Sequence, residues 1–243
     1  MCKVFIYTNL LLVSSLFLMS GRMPFTEGKE EAVSVVSEKE PTATFRSKLY
    51  HELELNEVLD YNVFEKAMIG YDKLKAPNKD VFTIIDYSKP STDERLFVLD
   101  IKNRRVLYSS LVSHGKRSGE NYATRFSNRA GSNMSSLGFF VTENTYQGRN
   151  GYSLILEGLE RGINDKVKAR SVVIHGASYA DPEVVEKGGR LGRSQGCPAV
   201  PQHMTIPIIN TIKGGTLLFI YGNDKTYIRS SSVLSGSQRL AQK

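Results

Sequence analysis

Two side chains in this sequence have the chemical types needed to make and break an acyl bond. Cys197 stands in the run GRLGRSQGCPAV, residues 189–200, and His175 closes the apolar run SVVIH, residues 171–175. A thiol attacks as its thiolate. With an ordinary pKa of about 8.5 it needs a neighbouring base or cation to become one at neutral pH. His175 is a candidate base, and Arg190 and Arg193 bring positive charge close to Cys197 along the chain. Gly196 removes side-chain bulk just before the sulfur and can adopt backbone angles barred to other residues. Pro198 fixes φ immediately after it. Such a turn would hold a thiol rigid and exposed, with backbone N–H groups directed at an attacked carbonyl. Other uses stay open at this level. A lone thiol also serves as a small buried hydrophobe or as an intermolecular bridge, and a strand-end histidine can be a satisfied core or surface residue.

The compartment bears on that choice. The chain has two cysteines, and Cys2 falls in the opening MCKVFIYTNLLLVSSLFLMSGR. There Lys3 precedes an apolar stretch from Val4 to Met19, the pattern of a basic n-region followed by an h-region. Residues 1–21 are therefore expected to be a signal peptide or an N-terminal anchor, the stretch being short against the roughly 20 apolar residues of a membrane span. Export to the periplasm or cell envelope follows. Structural cysteines in oxidising compartments come in pairs, and a chain that loses Cys2 cannot close an internal disulfide.

At 243 residues the chain fits one domain plus extensions, and 40% hydrophobic with 23% charged residues is a globular composition. The formal charge of +7 comes from basic residues spread along the chain. It reads as a solvated basic surface or as attraction to an anionic polymer. No nucleic-acid motif is present and Trp is absent, so nucleic acid is not an expected partner.

The elements that must position the two residues can be read from pattern. Residues 22–43 are charged, poor in aromatics and read as a linker. Residues 44–79 hold two helical patterns, FRSKLYHELEL with Thr44 as cap and DYNVFEKAMIGYDKLK with Asp60 or Asn62 as cap. Phe64, Ala67, Met68 and Tyr71 recur at helical spacing as a packing face. From about residue 80 the period changes. RLFVLDIKNRRVLYSSLVS predicts a β-hairpin, and VFTIIDY, LGFFVTENTY, YSLILEGL, SVVIHGA and GTLLFIYG predict further strands. MTIPIINTIKGG predicts a short helix stopped by Gly214 and Gly215. The domain so outlined covers 80–224, and the Ser-rich end, 225–243, is expected to be a flexible tail.

IHGA followed by GRLGRSQGCPAV resembles the catalytic signature of the L,D-transpeptidase (YkuD-type) domain. The likeness extends through DYSKPSTDERLFVLDIKNRRVLYSSLVSHGKRSGE, FSNRAGSNMSSLGFFVTENTYQGRNGYSLILEGLERGIND and IKGGTLLFIYG, over about residues 48 to 223. The resemblance implies a mainly β fold, a mixed β-sandwich or barrel with short helices and the N-terminal helical pair. It implies Cys197 as nucleophile, His175 as base and the Gly176 carbonyl as the group that orients the imidazole. It also implies an oxyanion hole from the N–H groups of Gln195, Gly196 and Cys197 and a substrate-side loop at His114, which reads equally well as an ordinary loop histidine. Arg190, Arg193 and Ser194 are candidates for substrate contact by their closeness to Cys197. The substrate would be the tetrapeptide stem of peptidoglycan. Attack at residue three would release D-Ala, and the resulting thioester would pass to an amine of a neighbouring stem as a 3→3 cross-link. No metal or organic cofactor is implied. A monomer is expected, meeting the membrane only through a retained N-terminal segment. Two positions depart from the commoner motif: Gln195 stands in place of His, and Ala199 in place of Arg or Asn. Arg190 or Arg193 would then have to supply the missing side-chain contact.

Rival readings are a carboxypeptidase or amide hydrolase on the same scaffold, a non-catalytic murein-binding module, and a zinc site from His114, His175, His203 and Cys197. The last lacks any H-E-x-x-H or paired C-x-x-C spacing. Ser113, Ser118 and the serines within 132–136 read mainly as turn residues. Tyr146 and Tyr152, flanking QGRNG, read as strand packing more than as a lid, and His203 as a surface residue.

Overall fold

The computed structural model describes residues 42–238. The signal segment expected over 1–21, and all but the end of the linker expected over 22–43, lie outside the described residues.

Eight strands form one sheet: β1 (Asn78–Asp86), β2 (Leu96–Asp100), β3 (Arg105–Ser110), β4 (Gly138–Gly148), β5 (Gly151–Gly158), β6 (Val173–Gly176), β7 (Ala199–Val200) and β8 (Thr216–Tyr221). Their order is β3-β2-β1-β8-β4-β5-β6-β7. The expected 96–110 hairpin is present as antiparallel β2–β3, with Asp100 opposite Arg105. Parallel pairs occur between β1 and β8 and between β6 and β7. β1 is buried at every residue from Phe82 onward and β2 throughout, because both faces are covered. That is why these strands read as unbroken apolar runs rather than alternating ones.

The two edges of the sheet nearly meet. Just past β3, Ser113 bridges Ala199 of β7 in antiparallel fashion, and Gly115 bridges Ser194 in parallel. Ser113 N–H donates to the Ala199 carbonyl at 2.7 Å, and Ala199 N–H returns to Ser113 at 3.3 Å. The fold is mainly β, a barrel-like sheet closed near the end of β6, which carries His175, and the start of β7, which follows Cys197. Closing an edge also satisfies backbone groups that would otherwise be open to pairing.

Helices cover the sheet. α1 (Thr42–Glu52) starts earlier than its apolar pattern suggested. α2 (Tyr61–Lys73) is capped by Asp60, whose Oδ1 accepts from Asn62 N–H at 2.7 Å. Val63, Phe64, Ala67 and Met68 are its buried face. Gly70 lets the helix sit on Phe139, since a Cβ there would collide with the ring. Phe139 in turn stacks on Phe219 at 4.3 Å between ring centres. α4 (Gln202–Ile212) buries Thr205, Ile208, Ile209 and Ile212, with Gly214 and Gly215 following at positive φ.

One element was not read from the sequence, and one expectation needs correction. Residues 182–188 form a short helix, α3 (Pro182–Gly188), between the predicted strand and the cysteine turn. The 225–243 segment, expected to be loose, folds through residue 238 as α5 (Lys225–Ser230) and α6 (Ser232–Gln238). Asp224 caps α5, accepting from Thr226 and Tyr227 N–H. Tyr227, Val233 and Leu234 are buried. These three apolar contacts, spaced within a Ser-rich stretch, are what composition hid.

Candidate active site

β6 ends in His175 and Gly176, and β7 begins two residues after Cys197, paired so that His175 lies beside Ala199. The sheet therefore brings the thiol and the imidazole to one rim, where both line a cleft of about 460 Å³. Gly176 is required by packing as well as by position: a Cβ there would run into Thr205 Oγ1 of α4.

The imidazole is buried, and its Nδ1 lies 2.9 Å from the Gly176 carbonyl. A carbonyl only accepts, so Nδ1 carries the proton and Nε2 holds the free lone pair. Burial pulls the His175 pKa below its ordinary value, against the carbonyl's opposing effect. The ring is thus a neutral base. The thiol is half-buried. Its hydrogen bonds run to the backbone at the start of β6 and just before it: Val173 N–H donates to Sγ at 3.5 Å, and Sγ donates to the Ser171 carbonyl at 3.7 Å. Burial pushes its pKa up, and the Val173 N–H and then Arg170 pull it back in part. Burial wins, so the resting pair is thiol and imidazole, with the proton still to be transferred.

The cysteine turn is rigid for reasons visible atom by atom. Ser194 Oγ donates to the Cys197 carbonyl at 2.6 Å and accepts from Gly196 N–H at 3.0 Å. Gly196 has φ +129°, and a Cβ there would lie 2.9 Å from the Met134 carbonyl. Ser135 Oγ donates to the Gly196 carbonyl at 3.3 Å. The glycine before the sulfur is thus demanded by both conformation and contact.

Several expected roles change. The Gly196 N–H, expected in the oxyanion hole, is committed to Ser194, which leaves the N–H groups of Gln195 and Cys197 as the candidate donors. Ser194, expected to touch substrate, has its hydroxyl engaged inside the turn. His114, also expected at the substrate, is fully buried. Arg95 Nη2 donates to its Nδ1 at 2.9 Å, and its Nε2–H faces the Gly119 carbonyl at 3.3 Å. Burial, then the Arg95 charge, holds its pKa down at about 4. His114 is a neutral strut beneath the turn, since its carbonyl accepts from Ser194 N–H at 2.9 Å. Arg193 does line the cleft but is tied to Glu120 at 2.6 Å. Arg190 meets the same carboxylate at 3.2 Å and is not among the cleft residues. Ala199 is fully buried at the closure of the sheet, a place with no room for a long polar side chain. His203 is exposed on α4.

The cleft residues that sequence reading missed include Arg149, Asn150, Arg170 and Tyr179. The first two form the tip of the β4–β5 hairpin, so QGRNG reaches the cleft through its tip and not through its flanking tyrosines. Tyr152 Oη instead donates to Asn210 of α4 at 2.9 Å. Arg170, on the turn before β6, and Tyr179, on a single 3-10 turn after it, carry no local signature. Burial, and then the thiol, push the Tyr179 pKa up to about 12. Among the described residues no cluster of His, Cys, Asp and Glu is arranged to hold a metal ion.

The family model described as L,D-transpeptidase catalytic domain matches residues 55–221. No curated protein matches the sequence. Among solved structures, an L,D-transpeptidase from Mycobacterium smegmatis is similar at 14% identity, covering 59% of each chain with a TM-score of 0.36. An L,D-transpeptidase from Stackebrandtia nassauensis is similar at 12% identity over 74% of this chain and 77% of its own, TM-score 0.36. L,D-transpeptidase 1 of Mycobacterium tuberculosis is similar at 12% identity over 60% of this chain and 63% of its own, TM-score 0.33. The chain thus spans about three-fifths of the length of the two mycobacterial proteins.

Proposed function

The chain belongs to the L,D-transpeptidase catalytic domain family, and from that premise we propose that it is a cysteine acyltransferase of the cell envelope acting on peptidoglycan tetrapeptide stems. The observation that carries the reading is the shared cleft of Cys197 and His175, with the imidazole held by Gly176 in the tautomer that accepts a proton at Nε2. Cys197 gives its proton to Nε2 as sulfur attacks the carbonyl of the L-centre of stem residue three. The tetrahedral oxyanion is met by the N–H groups of Gln195 and Cys197. Loss of one donor of this kind costs about 2.7–4 kcal/mol in other enzymes. The imidazolium then protonates the departing D-Ala amine, leaving a thioester on Cys197. A side-chain amine of a neighbouring stem, deprotonated by the same imidazole, attacks the thioester and restores the thiol, giving a 3→3 cross-link. Arg149, exposed at the hairpin tip, lines the cleft, and a cation there suits a substrate that carries free carboxylates.

The test is to incubate the full chain and a Cys197→Ala variant with tetrapeptide muropeptides and resolve the products by mass. We expect 3→3 dimers from the wild type alone. Tripeptides without dimers would make the enzyme a carboxypeptidase, and equal product from both proteins would overturn the mechanism.

A further inference from the structure

We propose that Arg170, remote in sequence from the GRLGRSQGCPAV turn, is the fixed cation that stabilises the charge formed on the Cys197 sulfur, acting through the thiolate and not on the substrate. The inference rests on the acyl-enzyme reading above and adds a residue to it.

The geometry is that of a built site. The guanidinium is held by four neutral oxygens. Nη1 donates to the Ser127 carbonyl at 2.7 Å and to Ser136 Oγ at 2.6 Å. Nη2 donates to the Met134 carbonyl at 2.7 Å and to Ser132 Oγ at 3.2 Å. These acceptors fix the plane of the fork but do not neutralise its charge, and no salt bridge to Arg170 occurs among the described residues. The same Nη2 stands 3.5 Å from where a Cβ of Gly196 would be, against the residue that precedes the sulfur. Arg170 and Cys197 line one cleft. A charge fixed in place before the reaction stabilises a developing anion without reorganisation at the moment of attack.

The other charged and titratable groups around the sulfur are less suited. Arg193, on the cysteine's own loop, is paired with Glu120, and so is Arg190. Arg149 sits exposed at the hairpin tip. Tyr179 stays neutral at physiological pH, its pKa pushed up to about 12. His175 is neutral until it takes the thiol proton, after which it adds a second positive charge to the cleft that Arg170 and Cys197 line. The interaction is reciprocal: Arg170 lowers the thiol pKa, and the thiol raises that of Arg170, which burial otherwise lowers. The 127–136 loop follows the same logic. Its carbonyls and serine hydroxyls clamp the arginine, and Ser135 of the same loop holds the Gly196 carbonyl. Nucleophile and cation are therefore mounted on one frame.

The measurement is the pH profile of alkylation at Cys197 by iodoacetamide, an uncharged probe, read by mass on the peptide containing Cys197 so that Cys2 does not contribute. Wild type, Arg170→Met, Arg170→Lys and a Ser132→Ala/Ser136→Ala double variant are compared as full chains. Arg170→Met is expected to move the midpoint up by about one pH unit, making alkylation at neutral pH about tenfold slower. Arg170→Lys, which keeps the charge, and the serine variant, which keeps the guanidinium but removes two acceptors, are expected to stay within about 0.3 unit of wild type. An unchanged midpoint in Arg170→Met overturns the inference. So does an equal shift in the Met, Lys and serine variants, which would make the residue a loop clamp only. The profile is taken on the free thiol. Failure of wild type to form acyl-transfer products would remove the proposed function while leaving this comparison readable.

Discussion

His175 turns one nitrogen to the Gly176 carbonyl and keeps the other for a proton, so its chemistry is set by which of its two states is populated. Burial disfavours the charged ring, and the base form therefore persists to lower pH than for an exposed histidine. The thiol is shifted the other way. Together these shifts widen the range in which a neutral imidazole and a neutral thiol share the cleft. Acyl transfer measured as kcat/KM against pH is expected to lose its acid limb only below the ordinary histidine value of about 6.5. An acid limb above that value would contradict the neutral-base assignment. Replacing His175 by Gln removes the base but keeps a ring-sized polar group. The expected loss is about 10²–10⁴-fold in kcat, with alkylation of Cys197 still rising at high pH.

At the scale of elements, the reactive rim depends on α4 lying directly against the end of β6. Gly176 is the contact, because only a hydrogen fits opposite Thr205 Oγ1, and that hydroxyl is itself held by the Pro201 carbonyl at 3.1 Å. Gly176→Ala must push α4 outward or rotate the strand end. Overpacking of this kind costs about 1–3 kcal/mol, and here the same shift displaces the carbonyl that orients His175. The variant is expected to lose stability in urea titration and to lose activity beyond what its folded fraction explains. The lower side of the rim is built otherwise. His114, Arg95 and Tyr87 form a buried polar stack, with the guanidinium carbon 4.9 Å from the Tyr87 ring centre. Arg95 also donates to the Val112 carbonyl through Nε and Nη2. This stack supports the 112–115 segment that bridges to both β7 and the cysteine turn. A histidine followed by glycine thus occurs twice in the chain, once lining the cleft and once buried behind it.

At the scale of the whole molecule, the C-terminal helices are joined to the sheet through one buried carboxylate. Glu160 accepts from Phe139 N–H at 2.9 Å and Tyr227 Oη at 3.1 Å, and from Ser231 Oγ. Burial raises its pKa in spite of these donors. The sign follows: a group raised on folding stabilises fully below its unfolded pKa, and that contribution is lost as pH rises through its folded value. Wild type is expected to have a larger drop in Tm between pH 5 and pH 7 than Glu160→Gln. An equal drop in the two proteins would show that Glu160 does not carry the dependence. How much of this was legible in the sequence follows from the reach of each signal. Strands β1, β2, β3, β4, β5, β6 and β8, helix α2 and the choice of Cys197 and His175 as candidate residues were readable because apolar periodicity, capping and a thiol between Gly and Pro are local properties. The same holds for Gly196, whose backbone requirement is set within its own turn. What only the tertiary structure decided is which groups meet: His114 behind the rim instead of in it, the Gly196 N–H taken by Ser194, and Arg170 in the cleft that Cys197 lines, with Arg190 outside it. The tail's docking through Tyr227, Val233 and Leu234 belongs with these. Such outcomes depend on sheet closure between Ser113 and Ala199 and on burial of charge, and both are sums over residues far apart in the chain that no local pattern records.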